Sequence, residues 1–138
     1  MPRIAVIAGD GVGTEVTREA VKVLRAVTAT AGPELEMVEW PHGADHYLST
    51  GVTLTDDEFA DLSASYDAIL LGAMGDPRVP GNEHARDILL GLRFRLDLYV
   101  NFRPVRLLHP DLTPLRDKTE KDVDFVVFRE NTEGLYVM

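Results

Sequence analysis

The chain has 138 residues and a net charge of −9, with 14 Lys and Arg against 23 Asp and Glu, and it contains no cysteine. The acidic balance disfavours nucleic-acid and membrane-surface binding, which need a basic field, and the lack of cysteine excludes disulfides, thiolate chemistry and cysteine metal sites. Because there is no signal-peptide pattern and no apolar run long enough to span a bilayer, we predict a cytoplasmic protein without nucleic-acid or membrane partners.

The first part of the chain is predicted to form a strand, a helix and a second strand. Arg3 to Ala8 is a short apolar run with β-branched residues, which indicates a buried, parallel strand. After Thr14, the predicted N-cap, apolar residues recur at three- and four-residue spacing until Gly32 and Pro33 end the helix. Leu35 to Trp40 alternates weakly and is predicted to be the second strand.

The rest of the chain continues to alternate helices with strands. Thr55 and Glu58 have the spacing of a capping box and predict a helix that runs to Ala64. The further predicted elements are a buried strand at Tyr66–Gly72, a Gly- and Pro-rich loop at Met74–Asn82, a helix at Glu83–Asp97, and strands at Tyr99–Leu107 and Val123–Arg129. This order predicts an α/β fold with a mostly parallel sheet flanked by helices.

The organisation changes near Tyr99, because from there strand follows strand. We predict that residues 1–98 are the N-terminal part of a first α/β domain. Residues 99–138 are predicted to begin a second, incomplete domain, to which the family resemblance given below assigns dimerisation and substrate binding. A new element opens at Leu135 and is interrupted at Met138, so we expect the chain to be truncated.

The stretch GDGVGTE, from Gly9 to Glu15, lies between the first strand and the first helix. It is not a dinucleotide fingerprint, because Thr14 stands where that pattern needs Gly or Ala, and no P-loop lysine follows. Two interpretations remain open. The glycines either form a turn before a capped helix, or they let a ligand approach the backbone at the carboxyl end of a strand.

His42 and His46 have the four-residue spacing of a helical metal pair. No third ligand is near, and Gly43 weakens the start of a helix at this point. We therefore interpret the two histidines as an incidental surface pair.

Several arginines stand within apolar sequence near the predicted domain boundary. On the predicted helix, Arg93 follows Leu89 by four residues and shares the apolar stripe of Leu89, Leu92 and Leu96, whereas Arg95 falls on the other side. This spacing predicts that the Arg93 side chain lies in the core or in a cleft.

The strands carry three more arginines. Side chains alternate along a strand, so Arg103 and Arg106 point to opposite faces, and Arg129 shares the face of Phe125 and Val127. Arg103 and Arg129, like Arg93, thus lie on faces expected to be core or cleft, where an unpaired charge is costly. Internal ion pairs with nearby carboxylates would satisfy single arginines, but three together favour a dianionic ligand whose carboxylates match the guanidinium forks.

Tyr136 follows the polar turn after the last strand. A lone tyrosine is usually a packing residue with a polar tip. Close to three arginines, its phenol could instead take part in proton transfer.

Four motifs occur in order along essentially the whole chain: GDGVGTE, YDAILLGAMGDP, LRFRLDLYVNFRP and DFVVFRENTEGLY. In this combination the chain resembles the β-hydroxyacid oxidative decarboxylases, the family of isopropylmalate, isocitrate and tartrate dehydrogenases. GDGVGTE alone is weakly specific, whereas the LR, NFRP and FREN–TEG–Y motifs together are highly specific. The family's fold is not a Rossmann fold, in agreement with the failed fingerprint.

The resemblance implies a role for each selected residue. Arg93, Arg103 and Arg129 match the arginines that bind the carboxylates of a malate-type substrate, although Phe94 replaces the Lys that often follows the first. Tyr136 matches the tyrosine that protonates the enolate after loss of CO₂. Val12 matches an apolar residue near the cofactor, which the resemblance implies to be NAD or NADP.

The resemblance also places some parts of the active site outside this chain. The catalytic lysine, the aspartates that hold Mg²⁺ or Mn²⁺ and the adenosine-binding loop follow residue 138 in the family, so no metal ligand is expected here. Because the lysine and one aspartate come from a partner subunit, the resemblance implies a homodimer. The 138-residue chain alone is expected to be inactive, and Met138 stands where the family usually has Gly.

The substrate is predicted from the helix that carries Arg93. Leu89 and Leu90 precede it by four and three residues and offer an apolar wall for a branched alkyl group, which predicts 3-isopropylmalate and hence leucine biosynthesis. Isopropylmalate enzymes often carry a Glu near the place of Arg86 and Asp87, and an arginine there could attract a more anionic substrate. The alternatives are a tartrate, D-malate or isocitrate dehydrogenase, a non-catalytic fragment that keeps only the fold, and a simple carboxylate-binding module.

Overall fold

The computed structural model describes residues 1–134. The chain divides into two compact units, Met1–Leu92 and Arg93–Met138. The division falls inside the last turn of a helix, slightly before the change of organisation at Tyr99. The assignment of residues 1–98 and 99–138 to two domains of a larger enzyme stays a prediction.

A parallel sheet organises the first unit. Its elements are β1 (Arg3–Ile7), α1 (Val12–Ala31), β2 (Glu36–Glu39), α2 (Ala44–Thr50), α3 (Asp56–Ser65), β3 (Ala68–Leu71) and most of α4 (Glu83–Arg95). The strand order is β2-β1-β3, with Ile4 paired to Met37 on one side and to Ala68 on the other. The predicted α/β fold with a parallel sheet and flanking helices is confirmed.

The order of the strands reverses at the carboxyl end of β1, the central strand of the sheet. The chain leaves β1 for β2 on one side of the sheet and then returns to β3 on the other side. In open α/β sheets, ligands bind outside the carboxyl ends of the strands where the order reverses in this way. The loop from Ala8 to Gly11 lies at that point.

The core of the first unit forms where the sheet meets its helices. Ala5, Val6 and Ile7 of β1 are buried, as the predicted strand requires. Leu62 of α3 and Ile88 of α4 are buried as well. Removal of this apolar surface from water is the main force that holds the strands and helices together.

Helix α1 begins earlier than its sequence predicts. Its N-cap is Gly11 and no side chain caps it, so the prediction of Thr14 as the N-cap is wrong. The Oγ1 of Thr14 instead donates to the carbonyl of Gly11 at 2.8 Å. The tight turn after β1 already has helical hydrogen bonding, because the Gly13 N–H donates to the carbonyl of Asp10 at 2.7 Å. The predicted end at Gly32 is confirmed.

Helix α3 begins with the predicted capping box. The Glu58 N–H donates to Oγ1 of Thr55 at 3.2 Å, and the Thr55 N–H donates to Oε2 of Glu58 at 2.8 Å. Two backbone N–H groups that helix geometry leaves unpaired are therefore satisfied reciprocally.

The sequence does not predict helix α2, which has no clear apolar period and no local N-cap. A residue far away in sequence caps it instead, because the Ala44 N–H donates to Oδ1 of Asp10 at 2.6 Å. The helix ends at Gly51, whose φ of 73° is left-handed and whose N–H donates to the carbonyl of Tyr47 at 2.7 Å.

The buried face of α4 differs from the predicted stripe. Of the three predicted leucines only Leu92 is buried, and the other buried residues of the helix are His84, Ala85 and Ile88. The polar His84 was not assigned to the core, because a histidine is buried only where a partner is available. That partner comes from the loop after β1.

The second unit contains an antiparallel hairpin. Strand β4 (Val100–Arg106) pairs with β5 (Asp124–Glu130), and a short 3-10 helix, Pro110–Leu112, lies in their connection. Both strands were predicted, as was their polar connection. Within the described part of the chain, no helix is long and apolar enough to cross a membrane.

Candidate functional site

Two of the selected arginines lie on one face of the hairpin. Arg103 pairs with Val127, and Arg129 pairs with Asn101. Directly paired residues share a face, so Arg103 and Arg129 are diagonal neighbours, a relationship with Cβ atoms about 7–8 Å apart. Arg106 pairs with Asp124 and belongs to the other face, as the alternation predicts.

The arginines differ in burial. Arg129 is half-buried, whereas Arg103 is exposed and its Nε donates to Oδ1 of Asn101 at 2.9 Å. The expectation that all three arginines lie in a core or cleft is therefore wrong for Arg103. Arg103 belongs to a two-stranded hairpin in which most side chains are exposed.

Arg93 lies in the last turn of α4, where it is half-buried, and Arg95 is exposed as predicted. The helix ends in a Schellman motif, in which Leu98 N–H donates to the Arg93 carbonyl at 2.8 Å and Asp97 N–H donates to the Phe94 carbonyl at 3.2 Å. Asp97 has the left-handed φ of 51° that this motif requires. The turn directs the chain from the Arg93 helix into β4.

Asn131 joins the end of β5 to the same turn. It is buried; its Nδ2 donates to the carbonyl of Leu98 at 3.4 Å, and its backbone N–H donates to the carbonyl of Tyr99 at 3.0 Å. The end of the Arg93 helix and the end of the Arg129 strand are thereby held side by side. Sequence reasoning missed Asn131, although it belongs to the FREN motif.

The other residues predicted for the site differ in exposure and in location. Leu89 and Leu90 are half-buried on α4, and Val12, the first residue of α1, is exposed. Tyr136 lies outside the described residues. The structure thus brings together the elements of Arg93, Arg103 and Arg129, while Val12 belongs to the separate sheet edge of the first unit.

At that sheet edge, Asp10 has a buried side chain with three donors. Its Oδ1 accepts the Ala44 N–H at 2.6 Å, and its Oδ2 accepts the Gly75 N–H and Nε2 of His84, both at 2.8 Å. Burial by itself would raise the pKa of the Asp10 carboxyl, but the hydrogen bonds from Ala44, Gly75 and His84 outweigh it and lower that pKa. Asp10 is therefore held as a carboxylate.

The glycines of this loop have two structural roles, which are close backbone packing and a left-handed turn. A Cβ at Gly9 or Gly13 would collide with the backbone carbonyl of Ala73, so these glycines allow two strand-end segments to touch. Gly11 has a left-handed φ of 49° and open space around its Cα. Of the two interpretations, a packed turn explains Gly9 and Gly13, and only Gly11 leaves room for a ligand near the backbone.

A cleft of about 330 Å³ opens beside this loop. Its lining includes Gly9, Gly11, Thr14, Trp40, His42 and Arg78. Nη2 of Arg78 lies 2.7 Å from a carboxylate oxygen of Asp45 and 2.7 Å from one of Asp76, which ties α2 to the loop after β3. Hydrogen bonds from Arg78 lower the pKa of Asp76 to about 2, so this carboxylate stays ionised.

The histidine pair is not a surface pair. His42 is buried, with its ring 4.7 Å from that of His46 and its Nε2 3.1 Å from Oε1 of Glu58. Burial lowers the pKa of His42, and His46 acts in the same direction, while Glu58 partly opposes them. Across residues 1–134, no group of three or more possible metal ligands comes together.

Solved structures assign this arrangement to a class of enzymes. A β-decarboxylating dehydrogenase from Thermococcus kodakarensis in its apo form superposes with a TM-score of 0.71 at 32% identity, over 98% of this chain and 35% of that one. Isocitrate dehydrogenase from Methylococcus capsulatus superposes with a TM-score of 0.76 at 32% identity, over 99% of this chain and 36% of that one. The fold is therefore that of the decarboxylating dehydrogenases.

The sequence match is specific to one family. The model of the isocitrate/isopropylmalate dehydrogenase family matches residues 3–138, and the chain belongs to this family. The 3-isopropylmalate dehydrogenases of Corynebacterium kroppenstedtii and Leifsonia xyli subsp. xyli are 53% and 51% identical to it over 97% and 98% of its length. The chain spans 39% and 38% of those two relatives. The resemblance found in the sequence motifs is confirmed.

Proposed function

We propose that this chain is the N-terminal part of a metal-dependent NAD(P) dehydrogenase that oxidises and decarboxylates a 3-substituted malate. The proposed substrate is 3-isopropylmalate, an intermediate of leucine biosynthesis. The observation that carries the proposal is the same-face placement of Arg103 and Arg129 beside the end of the Arg93 helix. The two relatives that are 53% and 51% identical and named for this activity support it.

The three arginines are proposed to bind the substrate's carboxylates. Each guanidinium offers a planar fork that matches a carboxylate through two hydrogen bonds. Binding at two or three forks fixes the substrate's orientation, which is the main contribution that a protein makes to a cofactor-driven reaction. The exposed state of Arg103 suits a group that awaits an anion from solution.

Leu89 and Leu90 are proposed to contact the alkyl substituent on C3. They lie four and three residues, respectively, before Arg93 on α4, which is the spacing of neighbours on one side of a helix. An apolar wall next to a carboxylate-binding arginine fits a substrate that carries a branched alkyl group beside its carboxylates.

Val12 is proposed to contact the dinucleotide, NAD or NADP. The residues at the sheet edge fit such a contact, because Gly11 lines the cleft and leaves open space, and the next residue, Val12, is exposed. The bound cofactor would accept a hydride from C2 of the substrate. This chain's own contribution would be an apolar surface at the carboxyl edge of its sheet.

The described residues do not form a site for Mg²⁺ or Mn²⁺. We propose that the metal's ligands and the catalytic lysine belong to other parts of the complete enzyme and to a second subunit, so that the enzyme acts as a homodimer in the cytoplasm. Tyr136, outside the described residues, is the proposed acid that protonates the enolate. The 138-residue chain alone is accordingly proposed to be inactive.

Another substrate of the same class is the second candidate. Arg86 is exposed on α4, one residue before Asp87, with its Nε 3.7 Å from Oδ1 of that aspartate. A cation at this place favours a substrate with an additional carboxylate, such as isocitrate. This observation keeps a tricarboxylate in competition with isopropylmalate.

The proposal is tested with a chimera that joins this chain to the remaining part of the Corynebacterium kroppenstedtii relative. NADH or NADPH formation is measured with 3-isopropylmalate and Mg²⁺ or Mn²⁺, with the isolated chain as the control. Turnover by the chimera and none by the isolated chain is the expected result. A folded chimera without metal-dependent turnover on any malate-type substrate would contradict the proposed function.

A further inference from the structure

We propose that His84, acting through Asp10, is a positioning residue that fixes the β1–α1 loop at the carboxyl edge of the parallel sheet and so presents Val12 to the dinucleotide. The presentation of Val12 to the dinucleotide rests on the proposed function, whereas the positioning of the loop by His84 and Asp10 does not. Neither Asp10 nor His84 belongs to the residues assigned a chemical role above.

Asp10 connects four segments of the first unit. Its backbone N–H donates to the carbonyl of Ala73 at 2.8 Å, which ties the loop after β1 to the end of β3. Its carboxylate accepts from Ala44 at the start of α2, from Gly75, and from His84 near the start of α4. The position of the loop therefore depends on keeping this carboxylate in place.

Of these three donors, Ala44 and Gly75 contribute backbone N–H groups, and His84 contributes a side-chain nitrogen. Its side chain is fully buried, with an exposure of 0%, and the Asp10 side chain has an exposure of 4%. A charge-assisted hydrogen bond in such a dry site is stronger than one at the surface, and loss of its donor leaves a buried carboxylate short of a partner. The ring also stacks on Tyr47, with centroids 6.0 Å apart, which restricts its rotation.

The geometry also requires a proton on Nε2 of His84. Nε2 faces Oδ2 of Asp10, whereas Nδ1 is buried without a hydrogen-bond partner among the described residues. Because a carboxylate oxygen can only accept, the hydrogen bond to Asp10 forms only when Nε2 carries a proton.

Simple core packing is the competing explanation, and two substitutions separate it from positioning. His84→Leu introduces an apolar side chain of similar size and removes the N–H that donates to Asp10. His84→Gln keeps a side-chain N–H donor. Ile88→Ala, one turn further along the same buried face of α4, is the matched control, because it creates a cavity without touching Asp10.

The experiment is native-state amide hydrogen exchange by NMR on the 138-residue chain. In His84→Leu we expect the exchange rates of the Ala44 and Gly75 amides to rise about tenfold or more relative to the amides of the parallel sheet. His84→Gln should recover much of this protection, and Ile88→Ala should change the sheet amides uniformly. Unchanged protection in His84→Leu, or a uniform change like that of Ile88→Ala, would overturn the proposal.

Two further measurements keep the proposal testable. If His84→Leu does not fold, long-range ¹⁵N–¹H correlations of the wild-type ring decide the matter, since a ring without a proton on Nε2 would contradict the anchor. NAD⁺ is then titrated into the chimera, which supplies the adenosine-binding loop, while the Gly11 and Val12 amides are followed. Shifts in the wild type that His84→Leu weakens support the whole proposal. A wild type without shifts overturns the presentation of Val12 and leaves the exchange result to decide the anchor.

Discussion

Arg103 and Arg129 lie on the same face of the β4–β5 hairpin, because Arg129 pairs with Asn101 and Arg103 pairs with Val127. A long connection separates the two residues in the chain, and only the register of the hairpin makes them neighbours. Arg106, close to Arg103 in sequence, belongs to the opposite face. This difference between the faces separates arginines proposed to bind substrate from arginines with an ordinary surface role.

Replacement of Arg93, Arg103 or Arg129 by Met should each reduce kcat/KM of the chimera for its best substrate. The expected loss is about 2–5 kcal/mol of transition-state binding, the range for removing one partner of a buried charge pair. The same replacement at Arg95 or Arg106 should leave kcat/KM nearly unchanged. Steady-state kinetics of the five variants provide the test, and equal losses at all five positions would refute the assignment by face.

The sequence predicts most of the fold because strand and helix patterns are local. The buried strand at β1, the capping box of Thr55 and the hairpin strands all depend on residues that are neighbours in the chain, and all are found. The face of each hairpin arginine follows from simple alternation as well. What alternation does not give is the register, which depends on pairing between distant segments.

The features missed from sequence are those with long-range partners. Helix α2 is capped by Asp10, which is far from it in sequence, and not by a neighbouring side chain. His84 can be buried because Asp10 accepts its hydrogen bond. Thr14 has the residue type of an N-cap, but the turn at Gly11 starts the helix before it. A pattern of single residues cannot show a partner elsewhere in the chain.

The capping box of α3 should contribute measurably to the stability of the first unit. Thr55→Ala removes the oxygen that accepts the Glu58 N–H and the hydroxyl that donates to Oε2 of Glu58. The expected loss in the free energy of unfolding is about 1 kcal/mol. Ser63→Ala, at an exposed position of the same helix, is the control and should be nearly neutral. Urea denaturation of both variants provides the measurement, and an equal change in the two would contradict the role of the cap.

The first unit should lose stability as the pH falls below 6.5. The pKa of His42 is lowered from 6.5, mainly by burial, so below that pH the unfolded chain binds more protons than the folded one. His42 therefore contributes its full stabilisation above pH 6.5, and this is lost as the pH falls toward the folded-state pKa. The lowered pKa values of Glu58 and Asp10 act only further down, below 4.5 and 3.8.

His42→Leu should flatten the dependence of unfolding free energy on pH between 6.5 and 4.5. His109→Leu is the control, because the His109 side chain is exposed and lies outside the first unit. Denaturant unfolding across this range, followed by Trp40 fluorescence, gives the comparison. A His42→Leu profile as steep as that of the wild type would show that another group controls the acid sensitivity.

The isolated chain should associate through its hairpin. Phe102 and Phe128 form an edge-to-face pair with centroids 5.4 Å apart, yet they are 57% and 70% exposed. A two-stranded ribbon with exposed aromatic side chains is marginally stable and prone to self-association. Phe128→Ser should lower the concentration-dependent increase in sedimentation coefficient, whereas Val23→Ser, at a similarly exposed position of α1, should not. A monomer at every concentration would contradict this expectation.

The substrate preference of the chimera should follow the character of α4. Leu89 and Leu90 offer an apolar wall, and each methylene of an alkyl substituent buried there is worth about 0.8 kcal/mol. The kcat/KM value should therefore be highest for 3-isopropylmalate among isopropylmalate, D-malate, tartrate and isocitrate. Leucine can supply no partner for the second hydroxyl of tartrate or for the third carboxylate of isocitrate.

Variants on α4 test which of its residues sets that preference. Leu90→Ala should lower kcat/KM for isopropylmalate more than for D-malate, because only the former has the alkyl group to lose contact. Gly91→Ala, where an added Cβ meets open space, is the matched control for a change in the helix itself.

Arg86→Glu should leave isopropylmalate as the best substrate and reduce turnover of isocitrate, since it replaces a cation with an anion near a third carboxylate. If isocitrate is the best of the four substrates in the wild-type chimera, and Arg86→Glu abolishes that preference, Arg86 rather than the leucine wall selects the substrate.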